Sequence, residues 1–312
     1  MKRLSKSNLG IVVVCYDTGA DFIQRLSKYI VVSNNVILVI NKFSSFKKQQ
    51  DLIHSVAEVF HSNISDGSLR IEELPDNLGI AAAMNHGIRQ LMDKCEWVLF
   101  FDDDTMLNCQ NVDELSDELN GAITYIGDRK LGIFALGYHA DDSQVDSRHD
   151  KDAGATHYIE KYAVISSGSI IAVDTFKKFG LFEEGYFIDS VDVEYALRLK
   201  AGKFAIVQSS KPLMIHPIGR RYEINLLGKK ILFSEHNSIR CYYIGRNRIA
   251  VGIKYMKQFP EIFLYSQLQT LFHIGRIVAF EDKKLVKIIR MLRGVAHGLT
   301  GKSGKLIPGG SK

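Results

Sequence analysis

The chain has 312 residues, 46% apolar and 24% charged, which excludes a disordered or collagen-like polypeptide and suits one large domain with an extension. Its net charge of +5 conceals an asymmetry, because residues 211–312 carry 19 Lys/Arg against 5 Asp/Glu whereas residues 1–210 carry 21 against 30. Cys15, Cys95, Cys109 and Cys241 lie far apart without C-x-x-C spacing, which signals neither a disulfide framework nor a thiolate zinc site and fits a reducing compartment.

The first apolar run, residues 11–15, is too short for the core of a signal peptide, so the expected location is the cytoplasm. Residues 9–16 (LGIVVVCY) form a continuous Val/Ile run ending in Asp17-Thr18-Gly19, which reads as a strand buried on both faces of a parallel sheet. Phe22, Leu26, Tyr29 and Ile30 then repeat at helical spacing. Residues 36–40 (VILVI) predict a second strand ending at Asn41, and residues 52–60 a second helix. This alternation predicts a doubly wound α/β domain.

A short strand over 70–74 leads to Pro75-Asp76-Asn77-Leu78-Gly79 and a helix over 80–92. The Asn-x-Gly turn at that helix start is either a plain turn or a place where backbone N–H groups meet an anion.

Residues 96–101 (EWVLFF) then break into Asp102-Asp103-Asp104-Thr105, a buried strand delivering acids to the carboxyl end of the sheet. Three adjacent carboxylates repel one another unless a cation sits among them, and their hard oxygens suit Mg²⁺ or Mn²⁺. Extended backbone alternates its side chains, so Asp102 and Asp104 share one direction and Asp103 takes the other. The alternative is a solvated turn.

An acidic helix over 111–120 and a strand over 131–138 follow. Residues 139–160 are polar, with His139, His149 and His157 at no metal-ligand spacing, and read as a surface loop or a substrate-covering lid. In residues 163–173 (AVISSGSIIAV), Gly168 among serines marks either close approach of a backbone or ligand, or plain sheet packing. Asp189, Asp192 and Glu194 sit beside an apolar stretch continuing as a helix to Arg198, where raised carboxylate pKa values suit a general base. A solvated, acid-rich helix start is the alternative there. A strand over 204–207 and then Leu213-Met214-Ile215-His216-Pro217 close this part, His216 being either a packing residue or a third ligand beside Asp102 and Asp104.

The order VVVCYDTG, DNLGIAAAMNHGI, WVLFFDDDT, SSGSIIAV, GLFEEGYFIDSVDVEYALRLKAGK and MIHPIG resembles the inverting, metal-dependent family 2 glycosyltransferases of GT-A fold. It resembles in particular the bacterial rhamnosyltransferase branch that builds O-antigen and capsular polysaccharides. The resemblance covers residues 9–220 and extends more weakly to HNSIRCYYIGRNRIAV at 236–251. It implies an α/β GT-A catalytic domain over 1–220 and a basic, largely helical extension over 221–312.

By that resemblance, Asp102 and Asp104 are the outer acids of a D-x-D motif that holds Mg²⁺ or Mn²⁺, with His216 completing the site. Tyr16, Asp17, Asn41, Asn77, Gly79 and Asp103 are the donor-binding set. Asp192, in VDVE, is the base for the acceptor hydroxyl, with Asp189 and Glu194 as carboxylates that assist or replace it. Two positions depart from the family pattern: strand two ends Val39-Ile40-Asn41 without the usual Asp, and Val191 stands where Glu is usual.

In the basic end, Arg240, Arg246 and Arg248 lie among tyrosines, and residues 261–280 are apolar but interrupted by Gln267, Gln269, His273 and Arg276. The interruptions favour an interfacial helix over a spanning one. Lys283, Lys284, Lys287, Arg290 and Arg293 follow on a helix, and residues 298–312 are Gly-rich and read as frayed. Two readings stand: contact with the anionic cytoplasmic leaflet, or packing on the catalytic domain or a second copy.

The expected activity is transfer of L-rhamnose from dTDP-β-L-rhamnose to a lipid-diphosphate-linked glycan. The alternatives are a UDP-sugar-dependent galactofuranosyl- or hexosyltransferase and a non-catalytic nucleotide-sugar-binding partner. Nucleic acid is not an expected partner, since the basic segment carries no groove-helix or stacking signature.

Overall fold

The computed structural model describes residues 3–19, 21–139, 157–217, 221–226 and 229–306. The chain divides into two compact units, Met1–Phe182 with Tyr195–Pro217, and Glu183–Glu194 with Ile218–Lys312.

In the first unit the order is β1 (Leu9–Cys15), α1 (Phe22–Val32), β2 (Val36–Ile40), α2 (Phe46–Val59), α3 (His61–Ser65), β3 (Leu69–Glu73), α4 (Ile80–Leu91), β4 (Trp97–Asp102), β5 (Met106–Leu107), α5 (Val112–Ile126), β6 (Lys130–His139), β7 (Tyr158–Glu160), β8 (Ser169–Ala172) and α6 (Val173–Phe179). Helix α7 (Val191–Ala201) begins in the second unit and ends in the first, where β9 (Phe204–Ile215) follows. The strands form one sheet in the order β3-β2-β1-β4-β8-β6-β9-β5, with β7 also on β9. β3, β2, β1 and β4 run parallel; β8 is antiparallel to both β4 and β6.

Every residue of β1 and β2 is buried, the consequence of helices on both faces of a parallel sheet. Val14 pairs with Val39 on one side and Asp102 on the other, so Asp102 is the last rung of β4 at the carboxyl edge. Tyr29 of α1 stacks on Phe101 at 4.4 Å and donates its hydroxyl to the Thr105 carbonyl, fixing the chain just past the acids.

The second unit holds a turn of 3-10 helix (Glu184–Tyr186), the antiparallel hairpin β10 (Arg221–Leu226) and β11 (Lys229–Ser234), and the helices α8 (Ser238–Tyr255), α9 (Pro260–Phe280) and α10 (Lys284–Leu299). α8 and α10 meet at backbone distance, since a Cβ on Gly294 would lie 2.1 Å from the Tyr242 carbonyl oxygen. Cys241, Ile244, Ile277 and Met291 form the core between the three helices.

Three expectations need adjustment. Strand character over 163–173 shrinks to β8, because Gly168 takes φ +79° and turns the chain before the ladder begins. The segment read as wholly loop over 139–160 contributes β7 at its end, while residues 140–156, including His149 and any lid, lie outside the described residues. The extension expected to be largely helical opens with a hairpin, whose signal was the alternation Tyr222, Ile224, Leu226. Residues 307–312 of the Gly-rich end also lie outside the described residues, and α10 holds helical form to Leu299.

Candidate active site

The acids at the end of β4 diverge. One oxygen each from Asp102 and Asp104 and one ring nitrogen of His216 lie within 4.8 Å of one another. His216 reaches this place because β5 pairs antiparallel with the end of β9, Met106 opposite Ile215, which lays His216 beside Thr105. Its Nδ1 is 2.7 Å from Thr105 Oγ1 and 3.8 Å from Asp104 Oδ1. Burial lowers the pKa of His216 and outweighs the opposing pull of Asp104.

Two residues that the sequence reading passed over hold this group. Thr105, fully buried, also lies 2.7 Å from Ser167 Oγ, and Ser167 Oγ accepts the Asp102 N–H at 3.1 Å. Asp102, Ser167, Thr105 and His216 thus form one chain of hydrogen bonds across three segments. Gly168 lets Ser167 sit there: a Cβ on it would fall 2.4 Å from Met214 Sδ. The serines around a glycine were the visible signal; Thr105 had none beyond following the acids.

Asp103 turns to the other side. Its carboxylate accepts the Tyr16 N–H at 3.0 Å and the Thr18 hydroxyl, while its carbonyl accepts Arg25 Nε at 2.7 Å. Burial raises its pKa against those hydrogen bonds. Asp103 therefore shapes the loop after β1. Asp17, at φ +51°, accepts the Ser44 N–H at 2.8 Å and the Ser44 hydroxyl at 2.7 Å, tying that loop to the one after β2.

Asn41 donates to Asn77 Oδ1 at 3.2 Å and accepts the Leu78 N–H at 3.0 Å. Asp76 and Asn77 take the N–H groups of Asn77 and Gly79. The amides of Asn77, Leu78 and Gly79 are thus engaged inside the protein. Tyr16 stays half exposed, edge-on to Phe43 at 6.5 Å. Tyr16, Asp17, Asn41, Asn77 and Gly79 consequently gather at one edge of the sheet of the first unit.

The second carboxylate group belongs to the second unit. Glu194 is fully buried and binds Lys254 Nζ at 2.7 Å and Tyr255 hydroxyl at 2.8 Å, which makes it a structural anchor for α8. Asp189 is clamped by Arg240, Nη2 to Oδ1 at 3.2 Å. Asp192, in the first turn of α7, accepts the Val193 N–H at 2.8 Å, and burial, helped by the charge of Asp189, lifts its pKa to about 6.

The loop before it is held in left-handed backbone at Phe187, Asp189 and Ser190. The amide of Asn247 donates to the carbonyls of Tyr186, Ile188 and Asp189 at 2.7–2.9 Å, and Arg246 Nη2 donates to those of Gly185 and Tyr186 at 2.9 Å. Arg246 is 2% exposed.

Comparison with known proteins bears on this arrangement. Residues 11–122, from β1 through the acids to α5, match the model of glycosyl transferase family 2. These residues belong to glycosyl transferase family 2. The match of this family 2 enzyme to a protein named dTDP-rhamnosyl transferase RfbF, of Shigella flexneri, spans 96% of this chain and 97% of the relative at 25% identity. Among solved structures, Staphylococcus aureus TarS residues 1–349 align with TM-score 0.60 at 12% identity, over 93% of this chain and 80% of that one. GalNAc-T7 with UDP, GalNAc and Mn²⁺ aligns with TM-score 0.55 at 10% identity, over 95% of this chain and 57% of that one. The shared architecture is GT-A-like.

The ligand set of this family 2 enzyme fits a hard divalent cation: two carboxylates and one imidazole converge within 4.8 Å.

Proposed function

We propose that the chain is an inverting rhamnosyltransferase that uses dTDP-β-L-rhamnose. What carries this reading is the end-to-end similarity to the dTDP-rhamnosyl transferase, which runs through both units and beyond the 11–122 family match. Asp102, Asp104 and His216 would hold Mg²⁺ or Mn²⁺, which when bound supplies positive charge for a nucleotide diphosphate.

In this reading Asp192 takes the proton of the acceptor hydroxyl. The freed oxygen attacks the anomeric carbon as the bond to the diphosphate breaks, and one displacement turns the β-donor into an α-linkage. Glu194 and Asp189 are committed to Lys254 and Arg240, which leaves Asp192 as the carboxylate for the role. The donor is tested by thermal shift with Mn²⁺: dTDP-rhamnose raises Tm and UDP-galactose or UDP-GlcNAc does not. Stabilisation by a UDP-sugar instead would favour the hexosyl reading, and by neither would sink both.

The acceptor is proposed to be linked to a lipid at an anionic membrane surface. No helix among the described residues is long and apolar enough to cross a membrane. Instead α9 exposes Leu264, Leu268, Leu271 and Phe272 along one face, Phe272 to 78%, and Lys283, Lys284, Arg290 and Arg293 follow on and around α10. An apolar stripe beside basic residues is the pattern of interfacial binding. Sedimentation with phosphatidylglycerol vesicles should retain the protein at low salt and release it as salt rises, and Leu268→Glu with Phe272→Glu should abolish binding. Absence of binding at low salt would refute the membrane reading.

A further inference from the structure

We propose that Arg248 is the centre of an anion site in the second unit that takes a phosphoryl group of the acceptor. The site extends the transferase reading and rests on it for the word acceptor. The observation that points to it is an unpartnered guanidinium nitrogen inside the protein. Arg248 Nη1 is buried and has no hydrogen-bond partner among the described residues.

Its surroundings explain why no side chain there satisfies it. Asp189 is held by Arg240. Glu281 binds both Arg276, at 2.9 Å, and Lys287, at 2.8 Å, and Lys287 also takes Glu235. Among the described residues, Asp189, Glu281 and Glu235 are thus each bound to a cation other than Arg248. Arg276 Nη2 donates to His273 Nε2 at 2.8 Å, and the His236 ring lies 5.6 Å from that of His273. Burial first, and the neighbouring cations next, keep both rings neutral. A neutral ring with one nitrogen accepting offers an N–H on the other.

A buried guanidinium N–H without an acceptor is costly, and the cost is recovered when an anion arrives. The guanidinium fork together with imidazole N–H donors matches the several oxygens of a phosphoryl group. The position also has a direction. Helix α9 carries His273 and Arg276 toward this cluster and Leu264, Leu268, Leu271 and Phe272 on its exposed side, so a phosphoryl group attached to a lipid would bring the apolar partner that the exposed face lacks. Asp189, whose charge reaches Arg248, stands three residues before Asp192.

The test uses the full chain in EDTA, so that metal-dependent donor binding plays no part, with farnesyl diphosphate, inorganic pyrophosphate and farnesol as probes. Farnesyl diphosphate should raise the Tm of the wild type, and Arg248→Met should weaken its binding by about 30-fold, as expected for truncating one member of a buried ion pair. Farnesol binding should be the same in both. Without ligand, Arg248→Met should melt no lower than the wild type, because an unpaired buried charge gives way to an apolar chain of similar length. Pyrophosphate binding as tightly as farnesyl diphosphate would keep the phosphoryl site and overturn its lipid source. Equal farnesyl diphosphate binding by variant and wild type, or a variant that melts several degrees lower unliganded, would overturn the site. Stabilisation by dTDP-rhamnose and Mn²⁺ should survive in Arg248→Met; its absence in the wild type is the separate failure of the transferase reading.

Discussion

Asp192→Asn should lower sugar transfer by about 10³-fold, the range for loss of a general base, while dTDP-rhamnose with Mn²⁺ still raises Tm. Unchanged turnover would remove Asp192 from the mechanism. A base must be ionised to accept a proton, and burial puts the pKa of Asp192 at about 6. The kcat/KM of the wild type should therefore fall as pH drops through about 6 and level off above it. Asp189→Asn should move that inflection to lower pH, since it removes a repelling charge and frees Arg240.

Stability provides an independent check on the same group. A carboxylate whose folded pKa is raised binds its proton more tightly in the native state than in the unfolded one. Its contribution is favourable at low pH and is lost as pH rises from the ordinary carboxylate range through about 6. Asp192→Asn removes this penalty, so its Tm relative to wild type should improve above pH 6. Glu194→Gln should behave in the opposite way, losing Tm because Lys254 and Tyr255 are left facing a neutral amide.

What the chain made legible was decided by pattern strength. β2 matches its expected bounds, and β1 ends one residue early, because continuous apolar runs bounded by polar loops admit few readings. Helix α2 starts six residues before the expected position, since its first turn is polar apart from an exposed Phe46 and is announced only by the Ser45 cap. The convergence of Asp104 with His216 depends on the two-residue strand β5, a pairing too short to read from sequence.

The same limit explains the residues that were missed. Asn247 and Arg246 act by holding carbonyls some 60 positions away, and nothing local to RNR announces such a partner. Asp103, expected to face away from its neighbours, does so and is spent on the Tyr16–Thr18 loop. Its role became visible only with that loop in place.

Asp104→Ala should remove Mn²⁺-dependent stabilisation by the donor, raising its Kd by at least about 100-fold, and EDTA should do the same to the wild type. The unliganded variant should melt no earlier than the wild type. The Asp104 side chain is 51% exposed, with His216 at 3.8 Å and the like-charged Asp102 beside it, so its loss relieves repulsion and leaves no buried group unpaired. Thr105→Val separates support from ligation. It keeps both carboxylates and the imidazole, but breaks the hydroxyl contacts to Ser167 and His216, so metal affinity should fall by about 10- to 100-fold. Thr105 is fully buried, and Val leaves Ser167 with the Asp102 N–H as donor and no acceptor at that position, so this variant should also lose Tm without ligand. A site that merely happened to gather two acids and a histidine would show neither difference: Asp104→Ala and Thr105→Val would then bind the donor as the wild type does, with or without Mn²⁺.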